Sequence, residues 1–330
     1  MKAAFLKYLL PLLIIIGCQA PDKANTEVLT TPKFEHDLVE GPTPWTSTEF
    51  ELEEEDFTFA IISDLTGGER PGIYKMAVAQ LNRLDPTFVL SVGDLIEGGT
   101  EDTLQLAKEW DSFDDRTSKL NMPFFHLGGN HDLTNPLMRK FWKHRYGPTY
   151  YHFVYENVLF LMMDSEDYGD KRMWEVNVAR EEAMKIIRGE KEGNFNDTEY
   201  AQMLESKVGG ISAAQLDYFK KVLTQYPDVR WTFVLMHKPT WMREDSLGLD
   251  PLEALLANRN YTVINGHKHS YSHRKRNNMD YITLGTTGGF QDPGDTMAFD
   301  HVTLVRMATK PVITHLKMEG ILDETGAVPK

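Results

Sequence analysis

The stretch FTFAIISDLTGG, residues 57–68, runs from an apolar segment into an aspartate and then into a turn with two glycines. A short apolar run closed by turn residues predicts a buried strand over residues 57–62. Asp64 then stands where that strand opens into a loop, a position from which a carboxylate can hold a metal ion. Downstream, IYKMAVAQLNRL puts Ile73, Met76, Ala77, Leu81 and Leu84 on one helical face, and Asp85-Pro86 stops the helix. A second apolar run follows at 87–92. Strand, helix and strand in this order predict parallel pairing.

Further apolar runs at 123–127, 151–164, 231–236, 261–264, 281–284, 301–307 and 312–318 predict more strands. Asn135-Pro136 can start a helix carrying Leu137 and Phe141. SAAQLDYFKKVL opens with Ser212 and Gln215 as a capping box, ahead of the stripe Leu216, Phe219 and Leu223. The early part is parallel, and the strand-rich late part can pair antiparallel. Two mixed β-sheets packed together, with helices outside, satisfy both halves, which is an α/β fold. Residues 166–208 are charged and amide-rich and break the rhythm. They read as an insertion with helical parts over one edge, a surface excursion in preference to a substrate lid. HSYSHRKR, ending at Arg276, reads as a basic hairpin turn, and His126 as a core residue.

With 330 residues, 41% hydrophobic and 25% charged, the chain has globular composition and length for one large domain or two small ones. It starts MKAAFLKYLLPLLIIIGCQA, two lysines and an apolar stretch shorter than the ~20 residues that span a bilayer. Residues 1–17 read as an export signal. IIGC resembles a bacterial lipobox, which implies lipidation of Cys18 and a protein anchored by lipid in a bacterial cell envelope. Residues 18–45, polar with Pro21, Pro32, Pro42 and Pro44, read as a tether, and 46–330 as the folded domain. Residues 1–17 carry two lysines and no acid, so the formal charge of -14 becomes -16 without them. That acidity excludes nucleic acid or an anionic membrane as a bulk partner and leaves the lipid anchor as the membrane contact. An anionic substrate then needs local cations. Cys18 is the single cysteine, so with it lipidated no disulfide forms.

Five stretches repeat one pattern, an apolar run ending in a metal-capable residue. They are IISD (Asp64), LSVGD (Asp94), LGGNHD (Asn130, His131, Asp132), VLMH (His237) and INGHKH (His267, His269). One such turn means little, because Asp and Asn are common turn residues. Five bring two carboxylates, an amide oxygen and three imidazoles to the same end of a sheet, where ligands bind in such folds. Mixed oxygen and nitrogen donors suit Mn, Fe or Zn better than Ca. His267 and His269, two apart, would share a face if they lay on a strand.

At these residues the chain resembles the calcineurin-like metallophosphoesterases, whose pattern is DxH, GD, GNHD/E, a lone His and GHxH in this order. The match runs from about Phe57 to Met307. The resemblance implies a four-layer α/β/β/α sandwich with two divalent metal ions, Mn, Fe, Zn or Mg. Asp94 would bridge them, Asp64 and His269 would hold the first, and Asn130, His237 and His267 the second. His131 would stand over the phosphate as donor or general acid, and Asp132 would orient it. The implied chemistry is hydrolysis of a phosphate ester by a metal-bound hydroxide. The substrate would be a phosphorylated small molecule, lipid or glycan. Arg70, Lys238, Arg243 and Lys268 adjoin the motifs and are candidate phosphate contacts. GTTGG, residues 285–289, would line the rim.

The family's second DxH residue is histidine, and here it is Thr66. The first metal could bind loosely through Asp64, Asp94 and His269, or Thr66 could serve as a weak ligand favouring Mn or Mg, or only the second metal could bind. Glu69 and Glu97 are candidate substitutes. The intact remainder favours an active enzyme with altered metal preference. The other class is a non-catalytic envelope protein that uses the fold to bind a phosphorylated ligand or partner.

Overall fold

The computed structural model describes residues 34–37, 39–50 and 56–319. The expected export signal, Cys18 and the first part of the expected tether lie outside the described residues.

Among the described residues, twelve strands form two sheets. The first five are β1 (Phe34–His36), β2 (Phe57–Ile62), β3 (Phe88–Ser91), β4 (Phe124–Phe125) and β5 (Tyr151–Tyr155). β6 (Val158–Met163), β7 (Trp231–Met236), β8 (Tyr261–Asn265) and β9 (Ser272–Arg276) follow. β10 (Met279–Thr283), β11 (His301–Met307) and β12 (Pro311–Lys317) complete the set. One sheet has the order β1-β5-β6-β7-β8-β10-β9, the other β12-β11-β2-β3-β4. β2, β3 and β4 run parallel, as do β6, β7, β8 and β10, while the outer pairings are antiparallel.

Strand residues alternate between two cores, as the pleat requires. Phe59 and Ile61 of β2 face the other sheet and join Phe88, Phe153, Phe160 and Phe233. Ala60 and Ile62 face outward onto α1 (Ile73–Leu84) and α2 (Thr103–Thr117). The short α3 (Asn130–Leu133) and then α4 (Pro136–Tyr146) complete that layer, with the side chain of Asn135 capping α4 at Met138 N. On the other outer face, α8 (Ala213–Gln225) and α9 (Asp250–Leu256) cover Leu161, Val234 and Val263. The result is the expected four-layer sandwich. Phe160 stacks between Phe153 and Phe233 at 4.5 and 5.4 Å. Its truncation to alanine would cost ~3–5 kcal/mol.

Four local expectations are corrected. The run 151–164 is a hairpin, because Glu156 and Asn157 both take positive φ, the two-residue turn that suits strand twist. HSYSHRKR is more than a turn: Ser272–Arg276 is edge strand β9, paired with β10. The folded part starts before residue 46, since β1 pairs with β5 and Trp45 is buried in the inter-sheet core. Ser212 does cap α8 at Gln215 N, but the Gln215 amide instead brackets the backbone N and O of Asp164, so no reciprocal box forms. The insertion holds α5 (Asp170–Ile187), α6 (Glu199–Gln202) and α7 (Leu204–Val208), with a small apolar cluster around Met173, Val176 and Tyr200.

Candidate metal centre

Each predicted ligand follows the carboxyl end of a strand. Asp64 follows β2, Asp94 β3, Asn130 β4, His237 β7, and His267 and His269 β8. Parallel pairing within each sheet puts these ends on one side. His267 and His269 are past the strand, so the shared-face expectation does not apply. Both take left-handed backbone (φ 73° and 53°), as do Asp64 (49°) and Asp94 (57°). Nine described non-glycine residues have positive φ, and four of them are predicted ligands. Such backbone is uncommon and persists only where its surroundings hold it. Here Asp64 N donates to Gly93 O at 3.1 Å, Gly266 N to His237 O at 3.0 Å and Gly289 N to Asp64 O at 2.9 Å. The glycines before Asn130 and His267 are steric necessities. A Cβ at Gly129 would press on Asp94 Oδ1, and one at Gly266 on Asp64 Oδ2.

Two donor groups result, with Asp94 in both. Ligand atoms of Asp94, His237 and His267 lie within 4.8 Å of one another, and so do those of Asp64, Asp94 and His269. Ring orientation is set by backbone carbonyls. His237 Nδ1 donates to Val92 O at 2.9 Å. In the neutral ring Nε2 is therefore a lone-pair nitrogen. It faces Asp94 Oδ2 at 3.1 Å and Asn130 Oδ1 at 3.2 Å. Three electron-pair donors converge there, and only a proton or a cation reconciles them. His269 repeats the device: Nδ1 donates to Phe290 O at 2.6 Å, and Nε2 lies 3.2 Å from Asp64 Oδ1. His267 donates from Nε2 to Ser206 O at 2.9 Å, leaving Nδ1 as its lone-pair atom.

The electrostatics agree. Burial alone would pull the His237 imidazole down, but Asp94 more than offsets this and its pKa rises to about 9. His269 behaves alike beside Asp64, rising to about 9 against its burial. Burial would raise the Asp94 carboxyl, yet His237 and His131 hold it well below the usual carboxylate range. His267 is kept neutral by burial, helped by Lys238. A donor set of two carboxylates, an amide oxygen and three imidazoles with committed outer nitrogens fits divalent transition metals.

His131 lies beside this centre. Its N donates to Asp94 Oδ1 at 2.9 Å, and its Nδ1 donates to Glu97 O at 2.6 Å. Asp132 does not touch the imidazole. Its carboxylate accepts from Leu95 N (3.0 Å), Ile96 N (3.2 Å) and Gly129 N (2.8 Å), so it pins the loop of Asp94 to that of Asn130. Burial and the Asp94 charge push its carboxyl up to about 8, against the bonds from Gly129 N and Leu95 N. The expectation that Asp132 orients His131 is thus corrected: a carbonyl does so.

Thr66 is buried, and its hydroxyl donates to Ile96 O at 2.7 Å and Asp94 O at 3.2 Å. Neither candidate substitute joins a donor group. Glu97 accepts from Gly68 N and Glu69 N, and Glu69 pairs with Arg116. Three of the four candidate phosphate contacts are already engaged. Arg70 pairs with Asp300 at 2.6 Å, Lys238 with Glu166 at 2.9 Å, and Arg243 with Asp245 and Glu205 at 2.6 and 3.1 Å. Lys268 alone has no carboxylate partner among the described residues; its Nζ donates to Lys207 O. His126 is buried on Pro44 O, as expected of a core residue. GTTGG lies against the Asp64 turn, with Thr287 N on Ser63 O at 2.7 Å. Sequence reasoning missed the orienting carbonyls of Val92, Glu97, Ser206 and Phe290. No side-chain signal marks them, since every residue has a carbonyl.

The chain belongs to the calcineurin-like phosphoesterase family, whose model matches residues 57–271. Among solved structures it is similar to a dimetal phosphatase from Danio rerio, with 16% identity and a TM-score of 0.55 over 78% of this chain and 95% of that one. It is also similar to PhoD, with 11% identity and a TM-score of 0.50 over 88% of this chain and 75% of that one. At these identities the likeness is one of fold. No curated protein matches the chain in sequence.

Proposed function

We propose that this protein hydrolyses a phosphate ester with two divalent cations held at the six-residue centre. The supporting observation is His237, whose committed Nδ1 leaves Nε2 facing the Asp94 and Asn130 oxygens. Asp94 is shared, Asp64 and His269 serve the first position, and Asn130, His237 and His267 the second. When bound, such cations polarise phosphoryl oxygens and make a water nucleophile available near neutral pH. His131, fixed by Glu97 O through Nδ1, can hold a proton on Nε2 and donate it to the leaving ester oxygen. The first position lacks a fourth protein donor where Thr66 stands, so it is the weaker and favours Mn or Mg. The substrate is a phosphorylated small molecule, lipid or glycan, and Lys268 is the candidate cation left to meet it.

The test is metal content beside turnover of phosphate mono- and diesters with Mn²⁺, Mg²⁺, Zn²⁺ and Fe²⁺. Turnover should track metal, and Asp94→Asn should empty both positions and abolish it. A metal-loaded protein inert towards every ester would instead be a binder of phosphorylated ligands. We further propose that Cys18 carries a lipid that anchors the protein in a bacterial envelope. Cys18→Ser should release it from membrane fractions or leave the signal uncleaved, and unchanged anchoring refutes the idea.

A further inference from the structure

Thr66 stands where the family pattern has a metal-ligating histidine, yet it is 1% exposed and its hydroxyl is turned to the main chain. Its two acceptors differ. Asp94 O, at 3.2 Å, also accepts from Leu65 N at 3.0 Å. Ile96 O, at 2.7 Å, has no other donor among the described residues. Ile96 is itself buried, and a buried carbonyl without a donor is costly. The Thr66 hydroxyl therefore decides where the Ile96–Glu97 peptide sits.

That peptide leads to His131. The next carbonyl along is Glu97 O, the acceptor for His131 Nδ1 at 2.6 Å. A return contact closes the circuit. Glu97 Oε1 accepts from Gly68 N at 2.9 Å and from Glu69 N at 2.7 Å, two and three residues beyond Thr66. Segments 66–69 and 94–97 are thus strapped in both directions, hydroxyl to carbonyl one way and amide to carboxylate the other. Asp132 and Glu109 also hold this loop, but through the N–H groups of Leu95, Ile96 and Gly98. The chain leaving Thr66 also passes the other ring nitrogen, since a Cβ at Gly67 would lie 3.4 Å from His131 Nε2. Both sides of the imidazole are therefore set by the Thr66 turn.

We propose that Thr66 is a positioning residue for His131: its hydroxyl fixes the Ile96–Glu97 peptide, and Glu97 O then aims the imidazole at the leaving oxygen. The proposal rests on the phosphoesterase reading. In that step the oxygen of water bonds phosphorus, the P–O bond to the alcohol breaks, and the alcohol oxygen takes the proton of His131 Nε2. The proton lost by water passes to solvent, and solvent reprotonates His131. At this position the chain uses a side chain on the acid rather than on a metal.

The test uses leaving groups of different acidity. A methyl ester releases a basic alkoxide and needs the proton, whereas a p-nitrophenyl ester releases a stable phenolate and hardly does. The ratio of their kcat values, for monoesters or methyl diesters, whichever turn over, is read in metal-loaded protein. Thr66→Val keeps the shape and loses the hydroxyl, and Thr66→Ser keeps the hydroxyl. In Thr66→Val the methyl-to-nitrophenyl ratio should fall ~10–100-fold at unchanged metal content, as a misplacement of about 1 Å can cost that much. Thr66→Ser should restore the ratio, and Thr66→Val added to His131→Ala should lower it no further. Equal loss on both esters, loss of metal in Thr66→Val or a further fall in the double variant overturns the proposal. Glu97→Ala cuts the strap from its other end and should give the same fall, which covers the case of a Thr66→Val chain that does not fold; an unchanged ratio there overturns the strap.

Nuclear magnetic resonance of the histidine rings in Mg²⁺ runs alongside. The His131 Nδ1–H, identified by its loss in His131→Ala, should be protected from exchange in wild type and Thr66→Ser but not in Thr66→Val. If the wild type cleaves no ester with any metal, the phosphoesterase reading fails and the spectra decide on the strap alone. Protection lost with the hydroxyl supports it, and equal protection in Thr66→Val, or none in the wild type, overturns it.

Discussion

His267 donates from Nε2 to the carbonyl oxygen of Ser206 at 2.9 Å, so a candidate metal ligand is held by the insertion. The neighbouring Glu205 fixes that stretch. Its carboxylate accepts from Arg172 and Arg243, and its carbonyl accepts from Lys238 Nζ. The insertion is thus more than a surface excursion, because one end of it completes the outer shell of the centre.

Glu205→Ala should therefore weaken metal binding although Glu205 touches no ligand side chain. Loss of an outer-shell support typically costs ~10–100-fold in metal affinity. Manganese titration by calorimetry should show that loss at one of the two positions. Equal affinity at both would mean that Ser206 keeps its place without Glu205.

His131 and Asp132 are adjacent in sequence but should fail differently. His131→Ala should keep most bound metal and lose ~10²–10⁴-fold in turnover, the usual range for acid–base assistance. Asp132→Asn replaces an acceptor of three N–H groups with an amide that can satisfy fewer of them. It should lower stability by ~1–3 kcal/mol and weaken metal binding, because the Asp94 and Asn130 loops lose their common anchor. Matching losses of metal in both variants would refute the division.

Wild-type protein should hold fewer than two metals per chain after dialysis and gain activity with excess Mn²⁺ or Mg²⁺. Thr66→His should raise occupancy and move preference towards Zn or Fe. The substitution is not free of strain. Thr66 is buried, so a larger ring there must displace packed neighbours. The Thr66 bond to Ile96 O is also lost. A lower melting temperature with higher metal content is the expected pair of results from calorimetry and elemental analysis. Two tightly held ions in the wild type would sink the idea.

The pKa values of His237 and His269, raised to about 9 from an ordinary 6.5, give a pH dependence with a definite sign. Protons on these rings stabilise the chelated, metal-free fold fully below pH 6.5, and that stabilisation is lost as pH rises through 9. The melting temperature in chelator should fall across this window. Metal affinity should rise across the same window, because cations displace those protons. Melting curves at several pH values, with chelator and with Mn²⁺, check both slopes. Parallel slopes would show that the rings are not the shared seat of proton and metal.

Sequence alone determined most of the strands, three of the covering helices and the order of the metal-capable turns, while β1, β9, α2 and α9 were not legible in it. Alternation over β2 and the helical stripe over α1 are local properties, written in the identity of neighbouring residues. The six candidate ligand positions were legible for the same reason, since each is a distinctive side chain at the end of an apolar run. Tertiary structure alone decided which way the rings point, what Asp132 holds and which cations remain to meet a substrate. The physical reason is that these depend on partners far along the chain. Arg70 is neutralised by Asp300 and Lys238 by Glu166, and His267 is oriented by a carbonyl of Ser206 that no side-chain pattern could announce.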